Sequence, residues 1–274
     1  MKINFLYYTS TGNTLWLATK AKEIFEQQGH TVQLYEIIND RDAFDKDECD
    51  LIGIFYPVWG SDPPDPMMEF RKEMPEGKGK KVFLIGNCCA FSGDTGVRWK
   101  RVLGKKGYDV IFGDHVIMPT DFNMPWMPWN VWKRVPEGEK LQKILNKALQ
   151  KLHGFCDSIL KEERKIDGKG PFNLLEGASQ RGIVWTEAWW KNHYSVDEEL
   201  CVKCGLCTRI CPTGNITKTE EGKIIFGDKC IMCVKCYNHC PKNAVLIFKK
   251  SINTKKYPRY KGPSKEIRPV QYRK

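Results

Sequence analysis

CVKCGLCTRICP at residues 201–212 and CIMCVKCYNHCP at residues 230–241 are two copies of one cysteine pattern. Each copy reads C-x2-C-x2-C-x3-C-P, and the second lies 29 residues after the first. A site made only of thiolates at this spacing is typical of iron–sulfur clusters, because soft sulfur ligands suit iron in such clusters. The candidate ligands are Cys201, Cys204, Cys207, Cys211, Cys230, Cys233, Cys236 and Cys240.

Two other roles for these cysteines compete with cluster binding. Zinc also binds C-x2-C pairs, but a structural zinc ion needs four ligands and does not account for a third cysteine in each copy. Disulfide bonds are the other alternative, and they belong to oxidising compartments. The doubled spacing favours iron–sulfur clusters over zinc and over disulfides.

Residues 197–249 resemble the bacterial ferredoxins that carry two [4Fe-4S] clusters. In that family the fourth cysteine of each run, beside a proline, ligates the cluster of the other run. The resemblance implies a small α+β ferredoxin-like domain, for which we expect bounds of 197–250. It also implies that one cluster is held by Cys201, Cys204, Cys207 and Cys240, and the other by Cys230, Cys233, Cys236 and Cys211.

Length and charge limit the remaining possibilities. The chain has 274 residues, so two domains are expected. No signal peptide precedes the first apolar run, and no stretch approaches the ~20 apolar residues of a membrane span, so we expect a cytoplasmic protein without a transmembrane segment. The net charge of +11 favours an acidic redox protein or acceptor enzyme as partner. An anionic membrane surface or nucleic acid would also suit this charge, but no recognised nucleic-acid module accompanies it, so we expect no nucleic-acid partner.

The first 165 residues alternate between apolar runs and amphipathic stretches. The apolar runs predict five strands, and the amphipathic stretches predict helices between most of them. This alternation predicts a doubly wound α/β domain, residues 1–165, with a parallel five-stranded sheet that binds its ligand at the carboxyl ends of the strands. The predicted strands cover residues 2–8, 31–37, 50–56, 81–87 and 108–118, and the helices 15–28, 65–74, 95–106 and about 137–165.

Three loops at the ends of predicted strands carry candidate ligand-binding residues. The first, TSTGNT, offers hydroxyls and consecutive backbone N–H groups at a helix N-terminus, a combination that cradles phosphate. It lacks the lysine of an NTPase phosphate loop and the glycine pattern of a dinucleotide-binding fold. The first loop comprises Thr9, Ser10, Thr11, Gly12, Asn13 and Thr14, the second includes Pro57, Val58, Trp59 and Gly60, and the third includes Asn87, Cys88, Cys89, Ala90, Phe91, Ser92 and Gly93.

These three loops resemble the FMN-binding loops of flavodoxins. The resemblance implies that the first loop holds the FMN phosphate and that the other two enclose the flavin ring, with Trp59 and Phe91 as its aromatic neighbours. Ordinary packing is the alternative for each aromatic residue. The third loop departs from the family because it has no tyrosine and carries the adjacent Cys88 and Cys89. These two cysteines are interpreted as small residues in a tight loop, with a redox-active thiol pair as the alternative.

Two further segments connect or follow these domains. Residues 166–196 contain Trp, Gly and Pro and are predicted to be a linker, and six of the nine tryptophans lie between residues 119 and 199. This tryptophan-rich stretch indicates a lid over the flavin or a seam between domains, with ordinary core packing as the alternative. Residues 251–274 carry eight Lys or Arg and one acidic residue. They are predicted to be a basic tail, either solvated or docked on an acidic partner.

The whole chain therefore resembles a fusion of a flavodoxin with a ferredoxin. The resemblance implies two [4Fe-4S] clusters and one FMN, and an electron carrier that passes low-potential electrons between a donor protein and an acceptor redox enzyme. No acid, base or nucleophile set stands out, so no catalytic residue is assigned. One alternative is an FMN-dependent reductase of a small organic substrate or quinone that is fed by the clusters. Another is a regulatory protein that uses its clusters as redox sensors.

Overall fold

A computed structural model of the chain describes residues 1–41, 44, 48–121, 123, 135–184 and 187–267. The strands are β1 Lys2–Tyr7, β2 Thr31–Glu36, β3 Leu51–Pro57, β4 Lys81–Cys88, β5 Asp109–Ile117, β6 Lys165–Ile166, β7 Tyr194–Val196, β8 Ile216–Lys218, β9 Ile224–Phe226 and β10 Val245–Ile247. The helices are α1 Asn13–Gln27, α2 Asp65–Glu73, α3 Thr95–Lys105, α4 Gly138–Leu160, α5 Pro171–Val184, α6 Glu187–Lys191, α7 Leu206–Ile210 and α8 Lys235–His239. A 3₁₀ turn covers Lys249–Ile252.

The larger domain is built on a parallel sheet with the strand order β2-β1-β3-β4-β5-β6. Its first five strands follow the flavodoxin-like order 2-1-3-4-5, in which ligands bind where the strand order reverses, next to β1 and β3. Strand β3 is buried along its whole length, as expected for a strand with helices on both faces of the sheet. Helices α1 and α4 pack on one face, and helices α2 and α3 pack on the other.

The sheet has one strand more than the five that the sequence predicts. Strand β6 has only two residues and pairs with Phe112 and Gly113 of β5. The helix predicted to continue to residue 165 ends at Leu160, and the chain turns through Glu162, whose φ is 55°, before β6 begins. A two-residue strand is too short to produce a recognisable apolar run, so the sequence pattern merged it with the helix.

The segment predicted as a linker contains two helices, so that prediction is wrong for residues 171–184 and 187–191. The chain between β6 and α5 contains Gly168 and Gly170. Helix α5 then begins at Pro171, because proline is favoured in the first turn of a helix. Gly177 lies inside α5 because the helix passes close to Asp94: a Cβ at this position would stand 2.3 Å from Asp94 Oδ1. These glycines therefore serve packing and helix entry.

The smaller domain contains both cysteine runs. Strand β7 pairs with β10, and strand β8 pairs with β9, each pair antiparallel. The predicted hairpin turn is present, since Gly222 adopts a φ of 86° between β8 and β9. Each cysteine run contains one short helix, α7 or α8. Strand β7 comes from the predicted linker, so the sequence placed the start of this domain a few residues too late.

The predicted basic tail packs against both domains as far as the described residues extend. Tyr257 and Tyr260 are 5% and 1% exposed, and the Arg259 guanidinium lies 3.4 Å from the ring centroid of Tyr237. Ile267 packs against the core of the larger domain. A solvated tail is therefore wrong for residues 257–260, whereas residues 252–256 are exposed. Residues 268–274 lie outside the described part of the chain.

No helix within the described residues has both the length and the apolar character that a membrane crossing needs.

Candidate iron–sulfur and flavin sites

The eight cysteines of the two runs line two separate cavities, each with three cysteines from one run and the fourth from the other. Site one is the cavity whose cysteines are Cys201, Cys204, Cys207 and Cys240. Site two is the cavity whose cysteines are Cys211, Cys230, Cys233 and Cys236. The structure thus groups the cysteines in the crossed sets that the ferredoxin resemblance implies.

Backbone amides already point at the sulfur atoms of both sites. Asn215 N donates to Cys211 Sγ at 3.3 Å, and at the equivalent position of the second copy Ala244 N donates to Cys240 Sγ at 3.2 Å. Such N–H···S bonds stabilise negative charge on the sulfur and are among the features that set a cluster's potential. Both copies of the cysteine pattern therefore have the same N–H···S hydrogen bond at the fourth cysteine.

Burial disfavours free thiolates in site two. Desolvation raises the pKa of Cys233 to about 12, with the neighbouring Cys211 and Cys230 thiols adding to the shift. The pKa of Cys236 is raised in the same way. Four thiols in this cavity can become thiolates together only when a cation shares their charge, as iron does in a cluster. The chemistry of the donor set therefore fits a [4Fe-4S] cluster.

The predicted phosphate loop lies at the carboxyl end of β1 and is closed off from solvent. Its residues Thr9, Ser10, Thr11, Asn13 and Thr14 are at most 8% exposed. Helix α1 starts directly after Gly12, whose φ of 104° is a conformation that glycine adopts without strain. No side chain caps this helix, so its first-turn N–H groups lack partners within the helix while they are buried.

The uncapped start of helix α1 fits a flavin phosphate. Buried backbone N–H groups without a partner are costly, and an anion at the helix N-terminus satisfies them. Two side chains of the loop already have partners: Thr9 Oγ1 accepts from Gly12 N, and Asn13 Nδ2 donates to Pro119 O. The uncapped backbone at the start of α1 fits a phosphate group.

Asn87 holds the three predicted flavin loops together. The Asn87 side-chain Nδ2 donates to Thr14 Oγ1 at 2.9 Å and to Tyr56 O at 3.1 Å. The backbone carbonyl oxygen of Asn87 accepts from Val58 N at 2.8 Å. One buried amide side chain thus connects the phosphate loop with the ends of β3 and β4. The three loops meet at one edge of the sheet, as expected for parallel strands.

The aromatic residues assigned to the flavin occupy different settings. Trp59 is partly buried and lies on a tight turn that is closed by two backbone hydrogen bonds with Asp62. Its ring packs edge-on against Tyr8 with the centroids 6.2 Å apart. Phe91 is 52% exposed and touches Phe172 of α5. Trp59 therefore has the more enclosed position of the two.

Cys88 and Cys89 follow each other at the end of β4 but do not share one environment. Cys88 is buried, and Cys89 is exposed. Burial and the neighbouring Cys89 raise the pKa of Cys88, and partial desolvation of the sulfur and the nearby Asp121 raise the pKa of Cys89. Neither thiol is activated by a depressed pKa, which favours the interpretation as small loop residues.

Several residues in this region were not predicted from the sequence. Tyr8 lies between the second cysteine run and Trp59, Asp121 accepts from Thr11 Oγ1 at 3.0 Å, and the Tyr260 hydroxyl donates to Asn13 Oδ1 at 2.6 Å. The only sequence signal for Tyr8 was its position directly before the phosphate loop. Of the six tryptophans in the joining stretch, Trp126, Trp129, Trp132 and Trp185 lie outside the described residues.

A separate polar cluster, Ser92, His115 and Asp167, has the composition of a hydrolytic triad but a different geometry. Ser92 Oγ and Asp167 Oδ2 lie 3.0 Å and 2.9 Å from the same atom, His115 Nδ1. A triad requires the serine and the carboxylate at opposite ring nitrogens. This cluster therefore joins the third flavin loop to the end of β6 and is not a nucleophile–base pair.

The fold and these sites define a protein that combines a flavodoxin-like domain with an iron–sulfur domain. Residues 193–256 match the family model described as a 4Fe-4S dicluster domain. An uncharacterized ferredoxin of Methanocaldococcus jannaschii is 45% identical over 56 residues, which are 19% of this chain and 73% of that ferredoxin. The pyruvate synthase subunit PorD of the same organism is 41% identical over 61 residues, 22% of this chain and 71% of the subunit.

Two further proteins match this chain over a longer stretch than these two ferredoxin-like relatives. The coenzyme F420-dependent sulfite reductase of Methanocaldococcus jannaschii is 34% identical over 73 residues, 26% of this chain, and the match spans only 12% of that enzyme. A solution structure of two-electron reduced Megasphaera elsdenii flavodoxin aligns with 54% of this chain and 98% of its own, at 25% identity and a TM-score of 0.37.

Through its C-terminal region the chain belongs to the 4Fe-4S dicluster ferredoxin family. The N-terminal region has a flavodoxin-like strand order, so the chain joins a flavodoxin-like fold to a ferredoxin domain. Its iron–sulfur domain is an electron-transfer domain.

Proposed function

We propose that this protein carries two [4Fe-4S] clusters and one FMN, and passes low-potential electrons between a donor protein and an acceptor redox enzyme. One observation carries the proposal: two crossed sets of four cysteines are packed in one structure with a buried, uncapped helix N-terminus at the ligand-binding edge of a flavodoxin-type sheet. The clusters would supply one-electron steps, and FMN would supply one- or two-electron steps.

The residues of this chain have distinct roles in the proposal. The cysteines of site one and site two hold the clusters, while the amides of Asn215 and Ala244 stabilise charge on the ligand sulfurs. The N–H groups at the start of α1 bind the FMN phosphate. Asn87 fixes the relative positions of the flavin loops, and Trp59 would contact the flavin ring. Burial of the phosphate loop excludes water from the bound phosphate.

The partners are inferred from chemistry and charge. Relatives named as ferredoxins and as a subunit of pyruvate synthase support a role beside other redox proteins. The net charge of +11 favours an acidic partner, whose association would slow as salt screens the attraction. The proposed clusters need reduced cysteine thiolates as ligands, which supports a reducing compartment such as the cytoplasm.

Counting the cofactors tests this function. Protein purified without oxygen and incubated with FMN should contain about eight iron, about eight sulfide and about one FMN per chain. Thr14→Asp places a carboxylate beside the phosphate site and should abolish FMN binding while iron and sulfide stay unchanged. Thr14→Asn is the uncharged control of the same size and should keep FMN. Full flavin content in Thr14→Asp would overturn the flavin assignment, and zinc in place of iron would overturn the cluster assignment.

A further inference from the structure

We propose that the two cluster sites have different roles: site two exchanges electrons with the flavin, and site one faces solvent and exchanges electrons with external donors or acceptors. This inference rests on the proposed function, since it takes the clusters and the FMN as bound. The supporting observation is that equivalent positions of the two cysteine runs, 201–212 and 230–241, differ in solvent exposure.

The sequence repeat provides a direct comparison of the two sites. Val202 follows the first cysteine of its run and is 56% exposed, whereas the equivalent Ile231 is 9% exposed. Cys204 is exposed, whereas the equivalent Cys233 is 8% exposed. The cysteine spacing is the same in each run, so the cause of the difference is what covers the second run. Site one can be reached from solvent, and site two cannot be reached in the same way.

The cover of site two is the flavin-binding edge of the larger domain. Ile231 and Cys233 belong to the same buried apolar cluster as Tyr8, and Trp59 packs against that cluster. Tyr8 directly precedes the phosphate loop and touches Trp59 edge-on. Tyr8 is therefore the side chain that joins a ligand of site two to the residues assigned to the flavin ring. Val202 and Cys204 of site one are exposed instead of being covered in this way.

The electron count of this arrangement balances. Full reduction of FMN takes two electrons and two protons, and each cluster carries one electron. Site two passes its electron to the flavin and receives the electron of site one, which it then passes on as well. The protons come from water, and external donors refill site one. Both clusters return to their oxidised forms for each flavin that is fully reduced.

Paired ligand variants test the order. Cys201→Ala and Cys230→Ala remove equivalent ligands from site one and site two. The flavin-loaded proteins are mixed with a limiting amount of reduced methyl viologen without oxygen, and the flavin absorbance is followed. In the natural protein we expect a first-order step that is independent of viologen concentration. This step should be lost in Cys230→Ala, and in Cys201→Ala flavin reduction should become slower and proportional to viologen concentration, because electrons no longer enter through site one. Persistence of the first-order step in Cys230→Ala would overturn the proposed order.

Tyr8→Leu tests the same order without touching a ligand, should a cysteine variant fail to fold. It should lower the first-order rate constant while iron, sulfide and flavin contents stay unchanged. Tyr108→Leu is the matched control in the same core cluster, at the opposite end of the sheet, and should leave the rate constant unchanged. Equal rate constants in Tyr8→Leu and Tyr108→Leu would overturn the inference. A protein that binds no flavin would instead contradict the proposed function itself.

Discussion

At the scale of single residues, Asp121 gives the phosphate loop a pH-dependent charge. Its Oδ2 accepts from Thr11 Oγ1, and its carbonyl oxygen accepts from Asn238 Nδ2 of the ferredoxin domain. Burial raises the pKa of Asp121 to about 6, although the hydrogen bond from Thr11 opposes the shift. The carboxyl group is therefore neutral in mildly acidic solution and becomes a carboxylate as the pH rises through that value.

We expect the affinity for FMN to fall as the pH rises through about 6, because a carboxylate at Asp121 repels the bound phosphate. Asp121→Asn should bind FMN more tightly than the natural protein above this pH and about equally below it. Flavin fluorescence titrations across the pH range measure the effect, and the ratio of the two dissociation constants removes the titration of the phosphate itself. A constant ratio would contradict this role. The same raised pKa makes the folded apoprotein less stable as the pH rises through about 6.

The residue types that carry the chemistry differ in how well the sequence predicts them. The cysteines have a spacing that no ordinary packing requirement produces, so the crossed sets could be anticipated from a family pattern. Tyr8 and Asp121 have no such signal. Tyr8 looks like the last residue of an apolar strand, and Asp121 looks like a polar loop residue. Their roles depend on which surface of the second domain meets them, and this is tertiary information.

At the scale of elements, helix α5 packs on the larger domain beside the second and third flavin loops. Arg181 Nη1 donates to Asp94 Oδ1 at 2.5 Å, and Ser61 Oγ donates to Gln180 Oε1 at 2.9 Å. The Asp94–Arg181 pair is largely buried, so the loss of either partner would leave a charge without compensation. Helix α5 therefore stabilises the loop that contains Cys88 and Phe91.

Two glycine substitutions in α5 test this packing. Gly177→Ala should lower the free energy of unfolding by about 1–3 kcal/mol, because its Cβ would stand 2.3 Å from Asp94 Oδ1 and displace the ion pair. Gly182→Ala should raise it by up to ~1 kcal/mol, because a Cβ there meets nothing within 4 Å and alanine favours a helix. Urea unfolding measures each change. Equal effects would indicate that α5 does not pack as described.

The sequence predicts long, periodic elements well and short or glycine-containing elements poorly. The first five strands and α1 to α4 lie close to their predicted positions because each has a clear apolar period. Helix α5 was missed because Gly168, Pro171, Gly177 and Gly182 resemble the composition of a linker. In the structure these residues begin the helix, accept a close neighbour or face solvent.

At the scale of the whole molecule, the ferredoxin domain and the segment after it close over the flavin-binding edge. Asn238 donates to Asp121 O, and its Oδ1 accepts from Tyr260 N. Tyr260 in turn donates its hydroxyl proton to Asn13 of the phosphate loop. This chain of buried contacts joins the second cysteine run, the C-terminal segment and helix α1. The charge pattern of that segment predicted a tail that is either solvated or docked on an acidic partner, because buried tyrosines are not visible among lysines in a sequence.

The fusion of the two domains implies that the clusters and the flavin exchange electrons within one chain. The most direct measurement is the rate of flavin reduction after rapid reduction of the clusters, in intact flavin-loaded protein over a wide range of dilution. A first-order rate constant that is independent of protein concentration is expected, because fusion keeps the cofactors at a high effective concentration. A rate constant that rises in proportion to protein concentration would contradict transfer within one chain and would show that electrons pass between separate molecules.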